Sequence, residues 1–169
     1  MLYRYNFIGC DGYQDCCFEI KQIFKQNLDV VNLNYYFAVN EAVCNAARYA
    51  KEGNDNVKVH LKIEIESTGI KTTIESKTIP VDMLAYRNKL KNFSMNPEHQ
   101  GQTWQEAWKD QLSGRGFWLM LSACDYIFVD RYGQRVVLHT PKAFQKGLIQ
   151  YQMEEIISRF FIDDKGMIL

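Results

Sequence analysis

Glu41 and Asn45 are the pair of side chains in this sequence whose types and spacing could do chemistry together. They lie four residues apart in a stretch of helical periodicity, so both project from the same side of a helix, one turn apart. A glutamate can accept a proton, and an asparagine amide offers a neutral oxygen of the kind that magnesium takes. The pair could therefore hold a water and a divalent cation, but a solvated polar helix face has the same pattern.

Gly114 and Gly116 form a second candidate site. They flank Arg115 directly before residues 117–121, an apolar run with helical spacing. Backbone N–H groups at the start of a helix can face an anion, and glycines allow the close approach that this requires. An ordinary loop-to-helix turn would have the same composition.

The helix that positions Glu41 and Asn45 has its own apolar stripe on the opposite side. The stripe consists of Tyr36, Val39, Val43, Ala46 and Ala50. Steps of three and four residues are typical of one face of a helix, so this face is predicted to pack on a core.

The remaining periodicities predict strands that come in hairpins. Residues 2–8 read as a strand, residues 9–13 as a break and residues 14–27 as a helix. Strict alternation over residues 57–66 and a turn before residues 70–75 indicate one hairpin, and residues 126–130 and 135–140 indicate another after a helix over residues 116–124. The predicted fold class is α+β, a two-layer sandwich of a mixed, mostly antiparallel sheet with helices on one face.

Taken together and in this order, the two motifs resemble those of the Bergerat-fold (GHKL) ATPases. Residues 41–46 look like the N-box of that superfamily, and residues 114–119 look like its second glycine-rich box. The short forms of both motifs are most similar to those of bacterial anti-sigma-factor serine kinases. The resemblance covers residues 1–141 and implies the histidine-kinase-like ATPase fold.

The resemblance also implies a ligand, a reaction and partners. The ligand would be magnesium-ATP, with Asn45 holding both the nucleotide and the magnesium ion. Glu41 would be the catalytic residue, acting on a serine of a partner protein such as a sigma factor or its antagonist. Gly114, Arg115, Gly116 and Leu119 would bind the nucleotide.

The chain departs from the family at the Asp-x-Gly-x-Gly box, whose aspartate reads the adenine amino group. Ser76 takes the position of the aspartate and would be the nucleotide-binding residue there, and Thr78 and Pro80 take the positions of the glycines. Pro80 also removes a backbone donor. A shift of register could instead bring Glu75 or Asp82 forward as the carboxylate. The chain is thus either an ATP-binding kinase-like regulator, a pseudo-ATPase that sequesters a partner without turnover, or an unrelated domain.

Residues 83–113 occupy the position of the family's ATP lid. A helical piece at the start contains Arg87, Lys89 and Lys91, basic residues that could meet a terminal phosphate or form a solvated face. Trp104 and Trp108, one helical turn apart, could close the lid onto the core or form a partner surface.

Composition limits the function classes further. The chain has 169 residues with 20 basic and 20 acidic side chains, so no global field attracts nucleic acid or an anionic membrane. No apolar run is long enough to span a membrane. Five cysteines in no regular spacing favour reduced thiols in a cytoplasmic protein over a disulfide framework or metal knuckle.

The C-terminal part, residues 142–169, is interpreted as a helical extension of the same domain. Pro141 is predicted to stop the sheet, and an amphipathic helix is predicted over residues 142–161. This helix could cap the sheet edge, mediate a homodimer or dock a partner.

Overall fold

Alternating apolar and polar residues build a single six-stranded sheet. The computed structural model describes residues 1–28, 33–99, 106, 115–142 and 153–163. The strands are β1 (Leu2–Ile8), β2 (Lys58–Ile65), β3 (Gly69–Ser76), β4 (Tyr126–Asp130), β5 (Arg135–Pro141) and β6 (Phe160–Asp163). Their spatial order is β1-β2-β3-β5-β4-β6, with antiparallel pairing throughout except for the parallel pair β4 and β6.

The described helices connect and cover these strands. They are α1 (Gly9–Asn27), α2 (Leu33–Arg48), α3 (Met83–Ser94), α4 (Arg115–Ala123) and α5 (Met153–Ser158). A 3-10 turn over Pro97–His99 follows α3. None of these helices is both long and apolar enough to cross a lipid bilayer.

The alternation along β2 shows which side of the sheet faces the core. Val59, Leu61 and Ile63 are at most 1% exposed, whereas Lys58 and His60, on the other face, are exposed. The buried side packs with α1, α2 and α4 in one continuous core. The prediction of an α+β sandwich with helices on one face of a mixed sheet is therefore confirmed.

Tyr35 fastens α2 to the middle of the sheet. Its hydroxyl lies 2.9 Å from Thr72 Oγ1 and 3.0 Å from the carbonyl oxygen of Leu138, on the neighbouring strands β3 and β5. Burial raises the pKa of this phenol well above its usual value, so it stays protonated. These two contacts of the Tyr35 hydroxyl fix α2, the helix that contains Glu41 and Asn45.

The prediction of a break at residues 9–13 is wrong, because α1 begins directly at Gly9. Gly9 has a φ of +60°, and a Cβ at this position would overlap the carbonyl oxygen of Asn54. Glycine is the residue that accepts both conditions. The chain therefore turns from β1 into α1 within one residue, and the glycine that looked like a loop starts the helix.

The prediction for the C-terminal part is also wrong in two respects. Pro141 ends β5 but does not end the sheet, because Phe160–Asp163 adds β6 beside β4. The helix described there is Met153–Ser158, so the helix predicted through residue 161 ends early. A short apolar stretch such as residues 160–163 can form either a helix end or a strand. It forms a strand here because β4 lies beside it, and β4 is distant in sequence.

Candidate functional site

A cavity of about 650 Å³ opens between α2, α3, α4 and the sheet. This volume is within the range of ordinary small-molecule sites. Its two ends differ. One end is formed by α2 and the start of α4, and we call it the helix end. The other is formed by residues 77–83, and we call it the segment end.

Glu41 and Asn45 line the helix end, where they are half-buried. They are one turn apart on α2, as their spacing predicts. The Glu41 carboxylate lies against Gly116 so closely that a Cβ at residue 116 would overlap it. Glycine at this position is thus what allows the carboxylate to reach the first turn of α4, where the partial positive charge of a helix start favours an anion.

The floor of the cavity is apolar. Ile74 of β3, Val136 of β5, and Ile127 and Val129 of β4 point into it from neighbouring strands. A planar apolar group such as a nucleobase could lie on such a surface, because burial of apolar area is favourable and needs no directed partner.

The segment end is closed by a network of backbone hydrogen bonds. On one side, the N–H of Ile79 donates to the carbonyl of Tyr49 at 2.7 Å. On the other side, the N–H of Val81 donates to Tyr132 and that of Met83 to Arg131, both at 3.0 Å. Residues 77–83 are therefore bonded both to the end of α2 and to the β4–β5 turn.

Three neutral polar side chains line the cavity at or beside the segment end. Ser76 and Thr78 are buried and line the cavity with Gln134, whose Nε2 donates to the Thr78 carbonyl at 3.1 Å. Glu75 and Asp82 are not among the lining residues. Glu75 pairs with Arg135 at 3.2 Å on the opposite face of the sheet, and Asp82 accepts the Ala85 N–H to cap α3. The shifted registers that would supply a carboxylate are thus wrong.

Among the residues that the structure describes, the charged ones that line the cavity are Glu41, Arg48 and Lys89. These two cations and one carboxylate give the described lining a net positive charge, which favours an anionic ligand. Tyr86 faces the same space from α3, and burial, with Tyr49 nearby, raises the pKa of its phenol. Tyr86 is therefore a neutral hydrogen-bonding group in the lining of the cavity.

The α3 wall is held by the C-terminal strand. The ring of Tyr86 lies edge-on to those of Phe117 and Phe160, with centroids 5.6 Å and 6.5 Å apart. Arg87 Nε donates to the carbonyl of Phe160 at 2.9 Å. The helix that was expected to act as a lid is thus packed onto α4 and β6 in this structure.

Four of the residues selected from sequence come together: Glu41, Asn45, Ser76 and Gly116 all line the cavity. Leu119 is half-buried on α4 and does not line it. Arg115 begins α4, but its side chain is outside the described part of the structure, as are Gly114, Trp104 and Trp108. Sequence reasoning missed Gln134 and Tyr86, which belong to no motif.

A second depression, of about 560 Å³, lies on the open face of the sheet. Lys58, His60, Glu75 and Arg135 are among its lining residues. Glu75 already pairs with Arg135 there. Glu41, Asn45 and Gly116 do not line this depression, so the cavity beside α2, which they do line, is the better candidate site.

Comparisons with known proteins assign no function to the chain. No protein-family model matches the chain, and a search of curated proteins finds no match either.

Proposed function

We propose that this chain is a cytoplasmic, ATP-binding regulatory protein that resembles an anti-sigma-factor serine kinase. The observation that supports the proposal is the position of Glu41, Asn45 and Gly116, which come from two distant motifs and line one end of one cavity. The apolar floor and the two cations, Arg48 and Lys89, are the surroundings that a base and a phosphate chain need.

The residues at the helix end fit a magnesium ion that arrives with its nucleotide. Within the described residues, no three His, Cys, Asp or Glu side chains cluster to form a protein-only metal site. Magnesium commonly takes only one or two protein oxygens and fills its shell with phosphates and water. Asn45 would supply such an oxygen, and the bound ion would neutralise phosphate charge.

The side chains of this chain would then act as follows. Glu41 would accept the proton of a partner serine hydroxyl as that oxygen attacks the terminal phosphate. Backbone N–H groups at the start of α4 would donate hydrogen bonds to phosphate oxygens, and Lys89 would add positive charge. The partner, by the same resemblance, would be a sigma factor or its antagonist.

A second candidate function is binding without turnover, in which the chain sequesters a protein partner. The hydrogen-bonded 77–83 segment favours this alternative, because none of the described residues brings a carboxylate to this end of the cavity to read an adenine amino group. A nucleotide held only at its phosphate end would bind weakly and could serve as a structural ligand.

Thermal unfolding with magnesium-ATP, with magnesium-ADP and with a chelator tests the nucleotide site. At a hundred times its dissociation constant a ligand adds about 2.7 kcal/mol to the unfolding free energy, or about 5–10 °C in Tm at this size. Asn45→Ala should abolish the magnesium-dependent shift. Asn56→Ala, in an exposed turn outside the cavity, is the matched control and should keep it. The absence of any shift at millimolar nucleotide would contradict the proposal.

Phosphate transfer separates the two candidate functions. A kinase should label a serine of a sigma-factor antagonist with the terminal phosphate of ATP, and Glu41→Gln should remove the labelling while it leaves nucleotide binding within a few-fold. Binding of nucleotide without labelling would favour the second candidate.

A further inference from the structure

The packing of α1 against α2 has a regular antiparallel register. Three side-chain contacts define this register. From one contact to the next, the residue number falls along α1 and rises along α2. The contacts are the ring pair Phe24–Tyr35 with centroids 5.2 Å apart, Lys21 Nζ over the Tyr36 ring at 5.5 Å, and the Tyr13 hydroxyl that donates to Asn40 Oδ1. One further turn along each helix leads from Tyr13 to Cys10 and from Asn40 to Cys44.

This register places Cys10 and Cys44 next to each other across the α1–α2 interface, where both residues are half-buried. Burial, with Cys10 next to it, raises the pKa of the Cys44 thiol to about 11. Cys44 is therefore protonated at neutral pH and is suited to be the second thiol to react.

The other three cysteines are placed differently. The thiols of Cys16 and Cys17 donate to carbonyl oxygens one turn earlier in α1, at 3.3 and 3.2 Å. Cys124 is fully buried, and burial raises its pKa well above the usual value. Within the part of the chain that the structure describes, Cys10 and Cys44 are thus the cysteines that the helix register places side by side.

Cys10 is also held firmly. Its backbone N–H donates to Asn54 Oδ1 at 3.2 Å, and the preceding Gly9 N–H donates to the Val57 carbonyl at 3.0 Å. The first turn of α1 is thereby anchored to the turn before β2.

We propose that Cys10 and Cys44 are a modification site, a thiol pair that hydrogen peroxide converts into a reversible disulfide. The Cys10 sulfur attacks one peroxide oxygen, the O–O bond breaks, and sulfenic acid and water form. The Cys44 sulfur then attacks the Cys10 sulfur, and the S–O bond breaks as a second water leaves. Two thiols lose two hydrogens, and one peroxide is reduced to two waters. This step does not depend on nucleotide binding.

The position of Cys44 gives the bond a structural consequence. Cys44 directly precedes Asn45 and follows Glu41 by three residues on α2. The disulfide would tie the first turn of α1 to the part of α2 that lines the cavity, and cross-linking at this separation constrains the unfolded chain.

Peroxide treatment of the reduced full-length chain tests the pair. With one equivalent of hydrogen peroxide, the five free thiols of the chain should fall to three. Peptide mapping should find Cys10 joined to Cys44, and dithiothreitol should restore all five. The cross-linked protein should unfold several degrees higher than the reduced protein.

Matched serine variants locate the reaction. Cys10→Ser and Cys44→Ser should each lose the cross-link, whereas Cys17→Ser, on the same helix as Cys10, should form it like the wild type. A cross-link that contains Cys16 or Cys17, or oxidation of Cys10 and Cys44 to separate sulfinic acids without a disulfide, would overturn the proposal.

Discussion

The two ends of the cavity beside α2 are built in different ways. At the helix end, a carboxylate and an amide project from α2, and Gly116 leaves the space that the carboxylate fills. At the segment end, residues 77–83 are bonded on both sides, and the lining groups Ser76, Thr78 and Gln134 are neutral. Within the described residues, the first end thus has a carboxylate and an amide beside a helix start, whereas the second has neutral polar groups and no carboxylate.

This difference shows that the segment end is well bonded without a glycine and without a carboxylate that lines the cavity. The backbone bonds of Ile79, Val81 and Met83 give the segment an ordered conformation without glycines. The kind of polar group at the segment end therefore affects which ligand the cavity can bind, and it need not affect the geometry of the helix end. Substitutions at the two ends should then have separable effects.

The largest effect is expected from Gly116→Ala at the helix end. Alanine in a helix is normally more favourable than glycine, but here its Cβ would overlap the Glu41 carboxylate. We expect a loss of about 1–3 kcal/mol in unfolding free energy, measured by urea denaturation, together with loss of nucleotide binding.

A double variant shows whether this contact is the cause. In Glu41→Ala the space is free, so adding Gly116→Ala should cost less than about 1 kcal/mol. If Gly116→Ala were equally harmful with and without the Glu41 side chain, the close contact between α2 and α4 would not explain the glycine.

An intermediate effect is expected from Ser76→Asp at the segment end. A carboxylate there would accept a charge-assisted hydrogen bond from an adenine amino group, and such bonds are about twice as strong as neutral ones. The ratio of ATP to GTP affinity, measured by competition, should rise about tenfold. Ser76→Asn, which adds similar volume without charge, is the control. An unchanged ratio would mean that this end of the cavity does not hold the base.

The smallest effect is expected from Lys89→Ala. Lys89 is exposed on α3, so its attraction for a phosphate is screened by solvent and salt. ATP affinity should fall about threefold at low ionic strength, and the difference should vanish near 1 M salt, where screening is nearly complete. A loss of a hundredfold would indicate that Lys89 contacts the ligand directly in a more closed state.

Local periodicity predicted the parts of the fold in which one face is buried. The alternation from Val57 onward and the stripe of α2 both placed their residues on the correct faces, and the Glu41 and Asn45 pair followed from helix geometry. The start of α1 was missed because the φ of Gly9 depends on the approach of Asn54, which is distant in sequence. The strand β6 was missed because its partner β4 is also distant.

The same reasoning explains what was missed at the site. Gln134 lies in the β4–β5 turn. The residues around it in the sequence predict a turn and give no sign of a site. It reaches the cavity because it bonds the Thr78 carbonyl of a separate segment. Tyr86 likewise enters the site through its packing on Phe117 and Phe160. Contacts of this kind have no local signal.

Titration calorimetry of magnesium-ATP into the full-length chain, its Asn45→Ala variant and its Asn56→Ala control tests the central claim most directly. The claim is that the helix end of the cavity holds a nucleotide. We predict one binding site per chain in the wild type and in Asn56→Ala, and loss of binding in Asn45→Ala or on removal of magnesium. Equal affinity in all three proteins, or no binding heat at millimolar ATP, would contradict it.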